Sequence, residues 1–168
     1  MSRQNYNILI ADDDASVRES LCKLLVGEGY QVTAVANGAE VVAAFFRDQN
    51  QIDLLLIDLN MPLKNGWATL DRLLEMNPAL PILIVTGQPN QYEMAEAAGV
   101  CALVEKPIDV PLLLQVIREL LTRSISSRRP NQDPLGLPFH FVSAAGYVSR
   151  YLWKEHTARP YSHWGLNE

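Results

Sequence analysis

Long apolar runs and positive charge are both scarce in this sequence of 168 residues. No segment approaches the ~18 consecutive apolar residues of a transmembrane helix, so we expect no membrane span. The polar first residues run directly into an apolar segment of strand type, and we therefore expect no signal peptide. Apolar residues make up 48% and charged residues 20% of the chain, as in ordinary globular proteins, which argues against a disordered chain.

Cysteine is equally rare. The two cysteines, Cys22 and Cys101, lie inside segments of apolar periodicity. Without a secretory signal, we interpret both as small buried side chains of a protein in a reducing compartment. A cytoplasmic location is therefore expected.

Positive charge is scarcest in residues 1–125, which hold 9 Lys and Arg against 16 Asp and Glu, a balance of −7. Residues 126–168 hold 5 against 3, a balance of +2. Contact with nucleic-acid phosphates requires a basic surface, so DNA binding by the first segment is disfavoured. The small excess in the second segment is too weak to indicate it.

Five apolar runs of strand type alternate with five segments of helical periodicity in the first 123 residues. Strands that are apolar throughout are buried on both faces, which is typical of a parallel sheet between two layers of helices. We therefore predict a doubly wound, flavodoxin-like α/β fold of five βα units with strand order 2-1-3-4-5. The predicted strands are Asn7–Ala11, Tyr30–Val35, Asp53–Asp58, Pro81–Thr86 and Cys101–Glu105.

Polar residues lie at the end of four of these strands or directly after it. Parallel strands end at the same edge, so the sheet should bring these side chains together beside the first strand. Clustered carboxylates repel one another and raise each other's pKa, so a cation is expected among them. Mg²⁺ fits a set of oxygen ligands, and the lysine supplies further positive charge. The residues are Asp12, Asp13, Asp14, Asp58, Thr86 and Lys106.

Acids at strand ends have an alternative interpretation as helix N-caps or solvated loop residues. This interpretation suits Asp14, which precedes a helix. It accounts poorly for Asp58, Thr86 and Lys106 together, since capping requires neither a lysine nor four converging strand ends.

Four motifs resemble the receiver domain of two-component response regulators over about residues 5–123. They are ILIADDDASVRESL, LLLIDLNMP, ILIVTG and VEKP. The resemblance implies a phosphoprotein that carries 4-aspartylphosphate at Asp58. It implies that Asp13 and Asp58 bind Mg²⁺ directly, that Asp12 acts mostly through a metal-bound water, and that the main-chain carbonyl of Asn60 is a further ligand.

The resemblance also assigns switch residues. Thr86 would donate a hydrogen bond to the phosphoryl oxygens, Lys106 would pair with them, and the Lys106–Pro107 peptide would be cis. The family commonly has an aromatic residue three positions before the lysine, where this chain has Leu103. Leu103 is therefore either a smaller switch residue or a packed, immobile side chain.

The implied function is phosphorelay signal transduction. The donor would be a phosphohistidine on a sensor histidine kinase or a histidine phosphotransfer protein, and the output would be contact with an effector protein. The chain would catalyse only its own phosphorylation and dephosphorylation, so we expect no enzyme. The alternative is a phosphatase of the haloacid-dehalogenase type, which requires an acid two residues after the nucleophile, where this chain has Asn60.

The last predicted helix has more apolar residues than one stripe requires. The surplus favours either a homodimer through this helix or a cover formed by the C-terminal segment. The residues are Leu112, Leu113, Leu114, Val116, Ile117, Leu120 and Leu121.

The composition divides the chain into a receiver (residues 1–125), a linker (126–138) and an aromatic-rich extension (139–168). The extension contains 7 of the 13 aromatic residues, so part of it should dock on a surface. Apolar spacing allows a short helix over Val142–His156. Three alternatives are open: the extension folds back onto its own receiver, binds a partner or second copy, or forms a DNA-binding module, for which it is short.

Overall fold

The computed structural model describes residues 5–48, 51–61, 66–126, 139–143 and 146–150. Within them, strands and helices alternate five times and a hairpin follows. The elements are β1 (Asn7–Ala11), α1 (Ala15–Gly27), β2 (Gln31–Val35), α2 (Gly38–Asp48), β3 (Leu54–Ile57), α3 (Gly66–Met76), β4 (Ile82–Thr86), α4 (Tyr92–Ala97), β5 (Ala102–Glu105), α5 (Val110–Ser126), β6 (Phe139–Ser143) and β7 (Gly146–Arg150).

The strands form one sheet in the order β2-β1-β3-β4-β5-β6-β7. Neighbours from β2 to β6 are parallel, and β7 is antiparallel to β6. The predicted doubly wound fold and its order 2-1-3-4-5 are confirmed. None of the helices in the described part of the chain combines the length and apolarity that a bilayer crossing requires.

Two hydrophobic cores cover the two faces of the sheet. Alternate residues of β3 divide between them: Leu54 and Leu56 pack with α1 and α5, whereas Leu55 and Ile57 pack with α2, α3 and α4. All four are at most 1% exposed. Truncation of one such leucine to alanine typically costs about 2–5 kcal/mol. The strand that ends at Asp58 is therefore held firmly from both sides.

An aspartate caps the N-terminus of α1 and another caps the N-terminus of α5. The Asp14 carboxylate accepts hydrogen bonds from Ser16 N–H at 2.8 Å and Val17 N–H at 3.2 Å, which confirms its predicted role as the N-cap of α1. The Asp109 carboxylate accepts one from Leu112 N–H at 3.0 Å at the start of α5. Both helices therefore begin directly after the loops that carry polar residues of the sheet edge.

The predicted helix over Val142–His156 is wrong for residues 142–143 and 146–150. Val142 ends up inside β6, and residues 146–150 form β7. Apolar spacing suggested a helix, but aromatic and branched residues at Phe139, Phe141 and Val142 suit a strand, and β6 pairs with the edge of β5 that would otherwise be left open. Residues 144–145 and 151–156 lie outside the described residues.

Residues 139–150 therefore fold back onto the receiver's own sheet where they are described. Ser126 belongs to α5, and residues 127–138 of the predicted linker are outside the described part. The boundaries of receiver, linker and extension stay predictions.

The apolar surplus of α5 is covered within the chain. Six of its seven residues are at most 9% exposed, and Leu112 is half-buried. Val142 of β6 joins the same core. A homodimer through α5 stays a prediction, but the apolar surplus that suggested it is already buried.

Candidate functional site

The first acidic loop of the site follows β1. Asp12 is 2% exposed, and its Oδ1 accepts a hydrogen bond from Asp14 N–H at 2.9 Å. Arg18 donates through Nη1 to the main-chain oxygen of Asp12 at 2.7 Å, which holds the loop against α1. Asp13 is exposed, next to this buried acid. The loop therefore presents one buried and one solvent-facing carboxylate.

Asp58 lies directly after β3 and is 5% exposed. Its N–H donates to the main-chain oxygen of Ala11 at 2.8 Å, which joins the ends of β3 and β1. Its Oδ1 accepts the N–H of Asn60 at 2.9 Å. Oxygen atoms of Asp12, Asp13 and Asp58 lie within 4.8 Å of one another. The two strand ends thus bring three carboxylates together, as the sequence predicted.

Lys106 reaches the same point from the end of β5. Its Nζ lies 2.7 Å from Asp58 Oδ2 and 3.1 Å from Asp12 Oδ2. Its N–H donates to the main-chain oxygen of Thr86 at 2.9 Å, and the Lys106–Pro107 peptide is cis, as expected. One ammonium group therefore bridges the two buried acids.

Burial and charge act on the pKa values of this cluster in opposite directions. Burial raises the pKa of Asp12 above its usual value, and the nearby Asp58 charge adds to the rise, although Lys106 partly offsets it. Burial acts to lower the pKa of Lys106, but its hydrogen bonds to Asp58 and Asp12 outweigh burial and leave that pKa raised. The Lys106 ammonium is thus held in its charged form, whereas the charged form of Asp12 is disfavoured.

The remaining predicted residues lie on β4, on β5 and in the loop after β3. Thr86 is fully buried at the end of β4, and its Oγ1 accepts a hydrogen bond from Gln88 N–H at 3.1 Å. Asn60 is exposed in the loop after β3. Leu103 is 0% exposed and lies between Ile84 and Phe141 in the sheet, which agrees with the packed alternative.

Two residues that the sequence did not single out have specific packing positions, one beside Asp58 and one against β6. A Cβ at Gly66 would lie 2.6 Å from the Cα of Leu59 and 3.0 Å from the main-chain oxygen of Asp58. Tyr92, the first residue of α4, contacts both aromatic residues of β6. A glycine at a helix start was the available signal for Gly66, whereas nothing in the sequence linked Tyr92 to a segment about 50 residues later.

A doubly wound α/β domain with an acidic, lysine-bridged cluster at its switch point is the class that this geometry defines. The family model described as the response regulator receiver domain matches residues 8–118. The chain belongs to this family.

Curated relatives support the same assignment. The transcriptional regulatory protein ZraR of Escherichia coli (strain K12) is 37% identical over 134 residues, which cover 77% of this chain and 30% of ZraR. The DNA-binding transcriptional regulator NtrC of the same organism is 29% identical over 133 residues, which cover 78% of this chain and 28% of NtrC. The chain therefore spans about 30% of the length of these relatives.

Solved structures are similar over the same region. A CheY-like response regulator receiver domain protein from Methanospirillum hungatei JF-1 has 28% identity and a TM-score of 0.67, and the match covers 73% of this chain and 98% of that chain. The response regulator TrrA from Thermotoga maritima, solved in complex with Mg²⁺-BeF, has 25% identity and a TM-score of 0.64, with coverages of 69% and 99%. These proteins are response regulators, and receiver domains are signalling modules.

Proposed function

We propose that this receiver accepts a phosphoryl group on Asp58 in a Mg²⁺-dependent reaction. The observation that carries the proposal is the setting of one buried carboxylate. Asp58 Oδ2 receives the Lys106 ammonium at 2.7 Å, and Asp58 shares a 4.8 Å cluster of carboxylate oxygens with Asp12 and Asp13. A carboxylate that only formed an ion pair with Lys106 would not require two further acids, Asp12 and Asp13, beside it.

The donor set fits a hard divalent cation. Three carboxylates and one ammonium carry a formal charge of −2, and Asp12 has a raised pKa, so a bound dication would relieve the repulsion. Asp12, Asp13, Asp58 and the main-chain carbonyl of Asn60 would hold it. Bound Mg²⁺ would neutralise charge on the phosphoryl and acceptor oxygens. The Mg²⁺-BeF complex of TrrA supports the same assignment.

The side chains supply position and charge for the transfer. A carboxylate oxygen of Asp58 forms a bond to phosphorus as the bond to the donor's imidazole nitrogen breaks, and the imidazole leaves with the electron pair and takes up a proton. Lys106 already lies beside the acceptor and would pair with the incoming phosphoryl oxygens. Thr86, at the adjacent strand end, would donate its hydroxyl to them. Leu103, fully packed, would act as a spacer and not as a moving gate.

The expected partners follow from this chemistry. The donor is a phosphohistidine on a sensor histidine kinase or a histidine phosphotransfer protein, and the output is contact with an effector protein. ZraR and NtrC are named as transcriptional regulators. Transcriptional regulation is not proposed for this chain, because it covers 30% or less of their length. Asn60 lies where a phosphatase of the haloacid-dehalogenase type would need an acid. This favours a phosphorylated signalling domain over a phosphatase.

Acetyl phosphate with Mg²⁺ tests the proposal on the full chain. We expect intact-mass spectrometry to show one phosphoryl adduct, and peptide mapping after borohydride reduction to place it at Asp58. Asp58→Asn and removal of Mg²⁺ by EDTA should abolish the adduct. The control Asp71→Asn, which changes an exposed acid of α3, should leave it intact. An adduct that persists in Asp58→Asn would overturn the assignment.

A further inference from the structure

The edge of β5 is occupied by the chain's own C-terminal strand. β6 pairs with β5 in parallel, with Ala102 opposite His140 and Leu103 opposite Phe141. Successive side chains of β6 enter opposite cores: Val142 packs on the α5 side, and Phe139 and Phe141 pack on the α4 side. β6 is therefore held by main-chain hydrogen bonds and by contacts on both faces.

One residue of α4 contacts both aromatic side chains of β6. The ring of Tyr92 lies 5.4 Å from that of Phe139 and 4.9 Å from that of Phe141, with interplanar angles of 81° and 76°. Edge-to-face pairs of this kind stabilise packing beyond the area they bury. Tyr92 is thus a clamp on β6, and its loss would remove both contacts at once.

The same residue lies at the end of the short loop that begins at Thr86. Five residues separate Thr86 from Tyr92, and the loop is tied at both ends. Gln88 N–H donates to Thr86 Oγ1 at 3.1 Å, and Gln91 accepts the Trp67 indole N–H at 3.2 Å. Asn90 has a φ of 60°, in the left-handed region, so the loop makes a turn between its two tied ends. A movement of the Thr86 hydroxyl would therefore reach Tyr92 through this loop.

We infer that Tyr92 is a positioning residue that couples the state of Asp58 to the docking of β6 on β5. The inference rests on the proposed function. A phosphoryl group on Asp58 would draw the Thr86 hydroxyl towards it, shift the tied loop and disturb the two edge-to-face contacts. Loosening of β6 would then expose the edge of β5 with which β6 pairs.

Hydrogen exchange tests the clamp in the full chain without any ligand. Tyr92→Ala should speed exchange of the amides in residues 139–143 by about tenfold, because two aromatic contacts are lost. Tyr92→Phe keeps the ring and should exchange like the wild type, as should the neighbouring surface variant Glu93→Ala. Wild-type exchange rates in Tyr92→Ala would overturn the inference.

Beryllium fluoride with Mg²⁺, the group bound in the TrrA structure, tests the coupling at equilibrium. Its binding to the wild type should speed exchange in residues 139–143, and Asp58→Asn should show neither binding nor this effect. Coupling between two sites is reciprocal. Tyr92→Ala should therefore bind beryllium fluoride several-fold more tightly than the wild type in calorimetric titration, and Tyr92→Phe should not.

The outcomes separate the two claims. Binding that requires Asp58 but leaves exchange of residues 139–143 unchanged or slower overturns the coupling and leaves the proposed function intact. Absence of binding, or equal binding to Asp58→Asn, overturns the proposed function and the coupling with it. The exchange of Tyr92→Ala without ligand decides the clamp in either case.

Discussion

Replacement of Lys106 by methionine is the perturbation with the clearest expected cost. The change keeps an unbranched apolar stem and removes the ammonium that lies 2.7 Å from Asp58 and 3.1 Å from Asp12. Two acids at 5% and 2% exposure would then face each other without a countercharge. The free energy of unfolding without metal should therefore fall.

The magnitude follows from burial. Removal of one partner from a fully buried ion pair costs about 3–5 kcal/mol. The side chain of Lys106 is 24% exposed, so solvent screens part of the interaction, and we expect a loss of about 2 kcal/mol. Saturating Mg²⁺ should shrink this loss, because the variant has a formal charge of −3 at the site and should bind the cation more tightly than the wild type.

Urea unfolding followed by circular dichroism, in EDTA and in saturating Mg²⁺, measures both effects. Lys23→Met is the matched control, since Lys23 pairs with Glu19 at 2.7 Å on the surface and is 75% exposed. The control should change stability by no more than about 0.5 kcal/mol. Equal stability of Lys106→Met and the wild type in EDTA would refute the electrostatic reasoning.

Three further changes have defined outcomes. Gly66→Ala places a Cβ 2.6 Å from Leu59 Cα and should lower the free energy of urea unfolding by about 1–3 kcal/mol, whereas Gly27→Ala, with nothing within 4 Å, should raise it by roughly 0.5–1 kcal/mol. Asp12→Asn removes the acid whose pKa burial raises. Without metal, its free energy of unfolding should exceed that of the wild type by about 1 kcal/mol at neutral pH, and this difference should disappear below pH 3.8, where the wild-type acid is protonated in both states. An unchanged free energy of unfolding would argue against a cost of burying the Asp12 charge beside Asp58. Burial raises the pKa of the Cys101 thiol from 9.0 to about 11, so the stability that the buried neutral thiol contributes is present below pH 9.0 and is lost as the pH rises towards 11. Relative to Cys101→Ser, the free energy of unfolding of the wild type should therefore fall by about 3 kcal/mol over that interval. A constant difference between the two proteins would contradict the burial of the thiol.

The sequence predicted the parts of the fold that depend on local pattern. An unbroken apolar run before Asp58 indicated a strand buried on both faces, and the structure has β3 there. Lys106 could be placed beside Asp58 because parallel strands end at one edge, although the two lie 48 positions apart in sequence. Pattern and topology together were therefore sufficient for the acidic cluster.

Features that depend on remote packing could not be predicted in the same way. The spacing of Val142 and later apolar residues fits a helix, whereas pairing with the edge of β5 places Val142 in a strand. The packing of Leu103 includes Phe141 as its sheet partner, a neighbour supplied by that same strand. The requirement for glycine at Gly66 follows from the close approach of Leu59, which a sequence pattern does not contain.

Binding of Mn²⁺, a paramagnetic substitute for Mg²⁺, tests most directly whether converging acids hold a cation. In a nuclear magnetic resonance titration of the full chain, we expect saturable broadening of backbone amides centred on Asp12, Asp13 and Asp58, and competition by Mg²⁺. Asp13→Asn should weaken it at least about tenfold, and the exposed-acid control Glu75→Gln should not. Broadening centred elsewhere, or unaffected by Asp13→Asn, would contradict the account.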